Sequence, residues 1–182
     1  MEFFQKPGSE NTDRTITLAC ERAQEFGIST IVVASNSGQT AERCIGKGVE
    51  IVCVTHHVGF AGPGIDEMET EKREFLKSQG VKILTSTHLF AGIDRALRIQ
   101  AGGLYPAEIV AHTLRMFGQG VKTGIECSVM ALDAGLIKFG ERVIAIAGTG
   151  RGADTATVLT PNHSNHFFAT KIHEIICKPA QM

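Results

Sequence analysis

The chain has 182 residues, with 18 Lys+Arg against 19 Asp+Glu and a formal net charge of -1. A chain of that length buries a substantial core as one domain without disulfides or metal, and the even charge balance gives no basis for nucleic acid or an acidic membrane surface as a partner. Tryptophan is absent and Tyr105 is the single tyrosine, which also removes the stacking platforms common in single-strand binders.

After a short arm ending at Pro7-Gly8, Ser9–Gly27 places Ile16, Ala19, Ala23 and Phe26 at helical spacing. Asn11, Thr12 or Asp13 can cap that first helix and Gly27 stops it. A first strand follows at Thr30–Ser35, within Ile31–Ala41, which reads I-V-V-A-S-N-S-G-Q-T-A. Here an apolar β-branched run ends in small hydroxyl residues and a glycine, and a short helix, Thr40–Gly46, takes over. The second strand is Glu50–Thr55, apolar without alternation, as befits a strand covered on both faces.

The next loop, Thr55–Gly64, is long for a βα connection, and long structured loops are disproportionately functional. Asp66–Gln79 reads as a charged helix with Met68, Phe75 and Leu76 inward and Glu69–Arg73 as an i,i+4 pair; Val81–Leu84 is the third strand, followed by Thr85–His88. From Leu89 to Leu136 the pattern is helical only, with helices around Gly92–Gln100, from Pro106 and from Thr123, separated by glycines. A fourth strand, Arg142–Ala147, runs into G-T-G-R-G-A-D-T at Gly148–Thr155. Thr155–Leu159 and Lys171–Cys177 then close the domain as two strands.

This order predicts an α/β fold: a three-layer open, mostly parallel sheet with helices on both faces, its last strand free to run antiparallel. In such a sheet the carboxyl ends of the strands and the amino ends of the connecting helices share one rim. Asn11 and Thr12 then fall on the same edge as Ser35–Thr40, Thr55–Gly64, Thr85–His88 and Gly148–Thr155.

Two loops on that rim have the chemistry to hold an anion. Ser35, Asn36, Ser37, Gly38 and Thr40 combine backbone N–H groups with hydroxyls and a glycine that admits close approach, although the spacing and lysine of a Walker A loop are missing; an ordinary capped βα turn is the alternative. Gly148, Thr149, Gly150, Arg151 and Gly152 fit G-x-G-x-x-A after a strand. Only about 30 residues follow, too few for the second half of a dinucleotide fold. Arg151 is placed to pair with phosphate or to stay solvated, and Asp154 to orient it or cap the turn beside Thr155. Thr55 and His56 follow the second strand, and His56 could donate to a ligand, act as acid or base, or serve only at the surface. Glu126 could be a carboxylate at the rim or a first-turn helix residue. His56 and Glu126 are the two weak catalytic candidates, and no Ser/His/Asp or Cys/His set can be assembled from spacing.

Adjacent His56 and His57 diverge in an extended loop, and His163 and His166 lack a ligating neighbour, so no metal is expected. The five cysteines, odd in number and without C-x-x-C, read as reduced thiols. No signal-peptide pattern opens the chain and no apolar run nears the roughly 20 residues that span a bilayer, so a soluble cytoplasmic protein is expected.

The segments I-V-V-A-S-N-S-G-Q-T-A, I-V-C-V-T-H-H-V-G-F, G-I-E-C-S-V-M-A-L-D-A-G-L-I and G-T-G-R-G-A-D-T-A, with the I-H-E-I-I-C-K-P ending, together resemble the pyruvate kinase C-terminal-domain-like superfamily. The resemblance covers nearly the whole chain and is narrower for its small stand-alone, mainly archaeal group. It implies that Ser35, Ser37, Gly38 and Thr40, with the backbone of Asn36, form a phosphate-binding loop, which in pyruvate kinases cradles a phosphate of an allosteric sugar bisphosphate. The stand-alone group is associated with flavin mononucleotide (FMN), which the resemblance makes the expected cofactor, flanked by Gly148–Thr155 and the His56 loop. Pyruvate kinase activity is not expected, because its (β/α)8 barrel needs about 250 residues. A flavin-dependent oxidoreductase and an enzyme acting on a sugar phosphate are the alternatives to simple ligand binding. The helical middle exceeds a simple crossover, so it is expected to shape a ligand pocket or a subunit interface, with a homo-oligomer as one partner.

Overall fold

The computed structural model describes residues 1–180. Seven strands form one sheet: β1 (Glu2–Phe4), β2 (Thr30–Ala34), β3 (Glu50–Thr55), β4 (Lys82–Thr85), β5 (Val143–Ala147), β6 (Thr155–Thr160) and β7 (Lys171–Pro179). Their spatial order is β1-β7-β6-β5-β2-β3-β4. The pairs β5/β2, β2/β3, β3/β4 and β1/β7 are parallel, and β6 is antiparallel to both β5 and β7, so it alone runs against the other six. The mostly parallel open sheet is the one expected, and its antiparallel pairings fall among the closing strands, through the reversed β6.

Among the described residues six α-helices accompany it: α1 (Thr12–Phe26), α2 (Gln39–Arg43), α3 (Thr70–Ser78), α4 (Ile93–Ala101), α5 (Pro106–Arg115) and α6 (Gln119–Asp133). Strand residues alternate between two cores. Ile31, Val33, Cys53, Ile144 and Ile146 meet Ile16 and Ala19 of α1, Ala41 of α2 and Leu76 of α3 on one face. Val32, Val52, Val54 and Ala145 meet Val121, Ile125 and Leu132 of α6 on the other. With both faces covered, the continuous apolar runs of β2, β3 and β5 have a physical cause.

Several local expectations change. The arm at Glu2–Phe4 is a strand, in register with Cys177–Pro179, and Phe4 enters the first core. Three residues are too few to show a period. Helix α3 begins at Thr70 because Asp66 turns the chain before it: Asp66 Oδ1 accepts the Met68 N–H at 3.0 Å. Arg73 therefore pairs with Asp66 (2.6 Å) and not with Glu69, and Phe75 is exposed beneath the Lys72 ammonium. Helix α6 starts four residues before Thr123 because Gly120 is not a breaker. A Cβ there would lie 2.2 Å from Thr155 Oγ1, so glycine lets the helix sit down on β6.

Four of the five cysteines are buried. Desolvation pushes the Cys44 and Cys53 thiols up to about 12 and Cys177 to about 11, and raises Cys127 as well. Brief iodoacetamide treatment of the native protein at pH 8 is expected to modify Cys20 alone, read as a single adduct by intact mass. Rapid modification of several thiols would contradict the packing of both cores.

Candidate functional site at the strand switch point

From β2 the chain winds outward to β3 and β4, then returns to build β5 on the other side of β2. The loops after β2 and β5 therefore part in opposite directions and leave a crevice between them, the place where open α/β sheets bind ligands. A cavity of about 870 Å³ opens there, within the ~300–1,000 Å³ usual for small-molecule sites. Ser35, Asn36, Ser37 and Thr40 line it from one side, Gly148, Gly150, Arg151 and Gly152 from the other, with His56, Thr12 and Arg43 between.

The β2 loop is held from within. The Ser35 hydroxyl, buried, accepts the Thr40 N–H at 3.2 Å, and the Ser35 N–H donates to Val54 O at 2.9 Å. The N–H groups of Asn36, Ser37, Gly38 and Gln39 find no acceptor among the described residues. Successive unpartnered N–H groups in a turn are the chemistry by which such loops can receive an anion, and Asn36, Ser37 and Gln39 line the cavity. Helix α2 has only five residues, so these donors, and not a long helix dipole, supply its polarity.

Gly38 has a different role from the expected one. Its φ is +81°, and a Cβ would come within 2.7 Å of Leu76 Cδ1 and 3.0 Å of Lys72 Cγ, so its bare side faces α3 and not the cavity. Its Cα side shapes the loop against α3 and does not line the cavity.

The β5 loop is tied to the N-terminal segment. Asp154, fully buried, accepts the N–H groups of Gly8 and Thr149, both at 3.1 Å, and the Thr155 hydroxyl at 2.8 Å. Asp154 thus caps the turn and does not orient Arg151, which is left exposed on the cavity wall. Thr12 receives the Ala153 N–H at 3.0 Å and donates to Ser9 O at 2.7 Å, so its hydroxyl is spent on structure at the cavity edge. Asn11 likewise donates to Lys6 O and Gly8 O and lies outside the cavity lining. Thr149, Asp154 and Thr155 support the loop from behind.

A second recess of about 120 Å³ continues inward, sharing Ala34, Asn36, His56, Gln119 and Thr123 with the main cavity. Thr55 and His88 stand on its wall, and Thr55 Oγ1 bonds Thr85 Oγ1 at 2.7 Å. His56 Nδ1 meets Glu67 Oε2 at 2.5 Å while its ring stacks on Phe60, centroids 3.7 Å apart. Glu126 is only 4% exposed; it accepts the Phe90 N–H at 2.9 Å and pairs with Lys122. It lies in the recess and not on the outer rim, in the second turn of α6. Desolvation lowers the His88 pKa, with the Glu126 charge opposing that shift.

Sequence reasoning missed Arg43, Glu67, Gln119, Arg95, Arg115 and Lys122, all on the walls of these two spaces. One signal was legible: Lys122 and Glu126 stand four apart in an otherwise apolar helix, where an ion pair would be buried together. Among the described residues no cluster of three or more His, Cys, Asp and Glu could hold a metal ion, and no helix is long and apolar enough to cross a membrane.

The sheet order defines an open α/β domain with a crevice at its switch point. More narrowly, the chain belongs to the family described as pyruvate kinase, alpha/beta domain, whose model matches residues 13–159. Among solved structures, Cryptosporidium parvum pyruvate kinase in complex with ADP aligns at 17% identity and a TM-score of 0.42, covering 93% of this chain and 24% of that one. A second pyruvate kinase structure from that organism aligns at 16% identity and a TM-score of 0.44, covering 85% and 23%. The chain spans about a quarter of the length of the pyruvate kinases it matches.

Proposed function

We propose that the protein binds a phosphorylated small molecule at the carboxyl rim of its sheet, with FMN as the first candidate. The observation that carries this reading is the run of N–H groups without an acceptor from Asn36 to Gln39, on a loop that lines the same crevice as the exposed Arg151. Charge-assisted bonds from such donors favour a phosphate monoester.

The residues present fit FMN. Ser37, Thr40 and the loop N–H groups would hold its phosphate, Asn36, Gln119 and Thr123 its hydroxyl chain, and the His56–Phe60 stack offers a flat face to a ring. Bound flavin would supply one- and two-electron transfer, and the chain's own part is to bind and orient it.

Native mass spectrometry on protein purified without added ligand, then with FMN added, tests the reading. A one-to-one complex with a phosphate monoester is expected, weakened at least tenfold by combining Ser37→Ala with Arg151→Gln at unchanged thermal stability. Protein that stays bare after addition of FMN and of simple phosphate esters would sink it.

A further inference from the structure

The inner recess carries charge that a phosphate at the rim does not use. Three cationic side chains line it, Arg95, Arg115 and Lys122, against the single carboxylate of Glu126. Arg115 spends its Nε on Gln119 Oε1 at 2.7 Å, and Arg95 lies over the Phe60 ring at 5.6 Å. Neither has a carboxylate partner among the described residues.

Lys122 is the sharper observation. Its side chain is 91% buried (9% exposed), and its ammonium meets Glu126 and, at 5.2 Å, the Phe90 ring. An ammonium has three N–H donors, so two remain beyond the Glu126 bond. A buried ion pair is a weak source of stability, since apolar residues of similar volume often replace it without loss. A buried cation with unspent donors beside an open recess is therefore placed for a ligand oxygen.

We infer that the recess is a second, anionic subsite, and that the ligand is a phosphorylated carboxylic acid, its phosphate at the rim and its carboxylate against Lys122 and Arg115. The inference rests on the phosphate rim proposed above. A carboxylate is preferred to a second phosphate on size, since the recess holds only about 120 Å³. Its planar group matches the guanidinium fork, as a phosphate's oxygens also do, so the charge of the recess fixes an anion and the test below fixes which. FMN, whose far end is a neutral ring system, would fill the rim but leave these cations without a counter-charge.

Titration calorimetry on the full chain with two matched pairs decides the matter: 6-phosphogluconate against glucitol 6-phosphate, and 3-phosphoglycerate against glycerol 3-phosphate. In at least one pair the acid is expected to bind ten times more tightly or better. That gap should collapse in Lys122→Met and in Arg115→Gln, with the alcohol's affinity unchanged. Thermal unfolding checks that each variant folds, and Arg115, being only partly buried, keeps the test open if the Lys122 variant does not. Equal affinity within both pairs overturns the recess subsite and leaves the phosphate rim standing. Failure of all four to bind while FMN binds overturns the recess subsite alone, and failure of FMN as well overturns both readings. A hexitol 1,6-bisphosphate that outcompetes the acids, or a preference that survives both substitutions, overturns the carboxylate assignment.

Discussion

Gly38→Val is expected to lower the unfolding free energy by about 2–5 kcal/mol, by forcing a β-branched residue into left-handed backbone and overpacking a filled core. The φ of +81° admits glycine, and the new Cβ would stand 2.7 Å from Leu76 Cδ1 and 3.2 Å from Met68 Cε, both on buried side chains that cannot easily yield. Ligand affinity should fall with stability, because the strain distorts the loop that presents the free N–H groups. The contrast with Ser37→Ala separates the two effects. Ser37 lines the cavity, so its loss should weaken binding and leave the denaturant midpoint near that of the parent. Chemical denaturation of both variants checks this, and a Gly38 variant of parental stability would show that the loop is not braced by α3.

Asp154→Ala should be comparably severe, at about 2–5 kcal/mol, since it removes the shared acceptor of three donors, of which the Thr155 hydroxyl is buried and the two N–H groups are partly buried. The N–H groups of Gly8 and Thr149 and the Thr155 hydroxyl all converge on this one carboxylate. Asp154→Asn keeps the shape but cannot accept all three bonds without turning an NH2 toward a donor, so an intermediate loss is expected. The local signature should be faster amide exchange at Gly8 and Thr149 than in the parent protein. A stability change under about 1 kcal/mol for the alanine variant would mean that water replaces the carboxylate, against its complete burial.

The strands that could be read beforehand are those whose residues serve a single physical demand. Glu50–Thr55 is apolar because both faces are covered, and its bounds match the prediction residue for residue. The rim followed from topology: parallel β2, β3, β4 and β5 bring Ser35, His56, His88 and Gly148 to one edge whatever their side chains do. What could not be read was the direction in which a small residue is needed. Gly38 and Gly120 look alike in sequence to glycines that admit a ligand or end a helix, yet each is required by a neighbour far along the chain, α3 for one and Thr155 for the other. The same limit hid the recess. Arg95, Arg115 and Lys122 come from three different helices, and only the way α4, α5 and α6 pack brings them to one wall.

The pairing of β1 with β7 has a consequence for how the molecule forms. Phe4 sits opposite Pro179, and Gly8 reaches Asp154 across 146 positions of sequence, so this segment has its partners far along the chain. Closing so long a loop costs entropy that local helices do not spend, and contacts of this separation form late and slowly. During synthesis, β2, β3 and β4 can assemble with α1 to α3 while β1 still waits. The turn at Gly148–Ala153 packs against Ser9, and Asp154 behind it gains the Gly8 N–H, only when that segment is finally seated. The crevice is therefore expected to be the last part of the domain to become ordered, and refolding followed by a fluorescent phosphate ester should lag behind the recovery of helix.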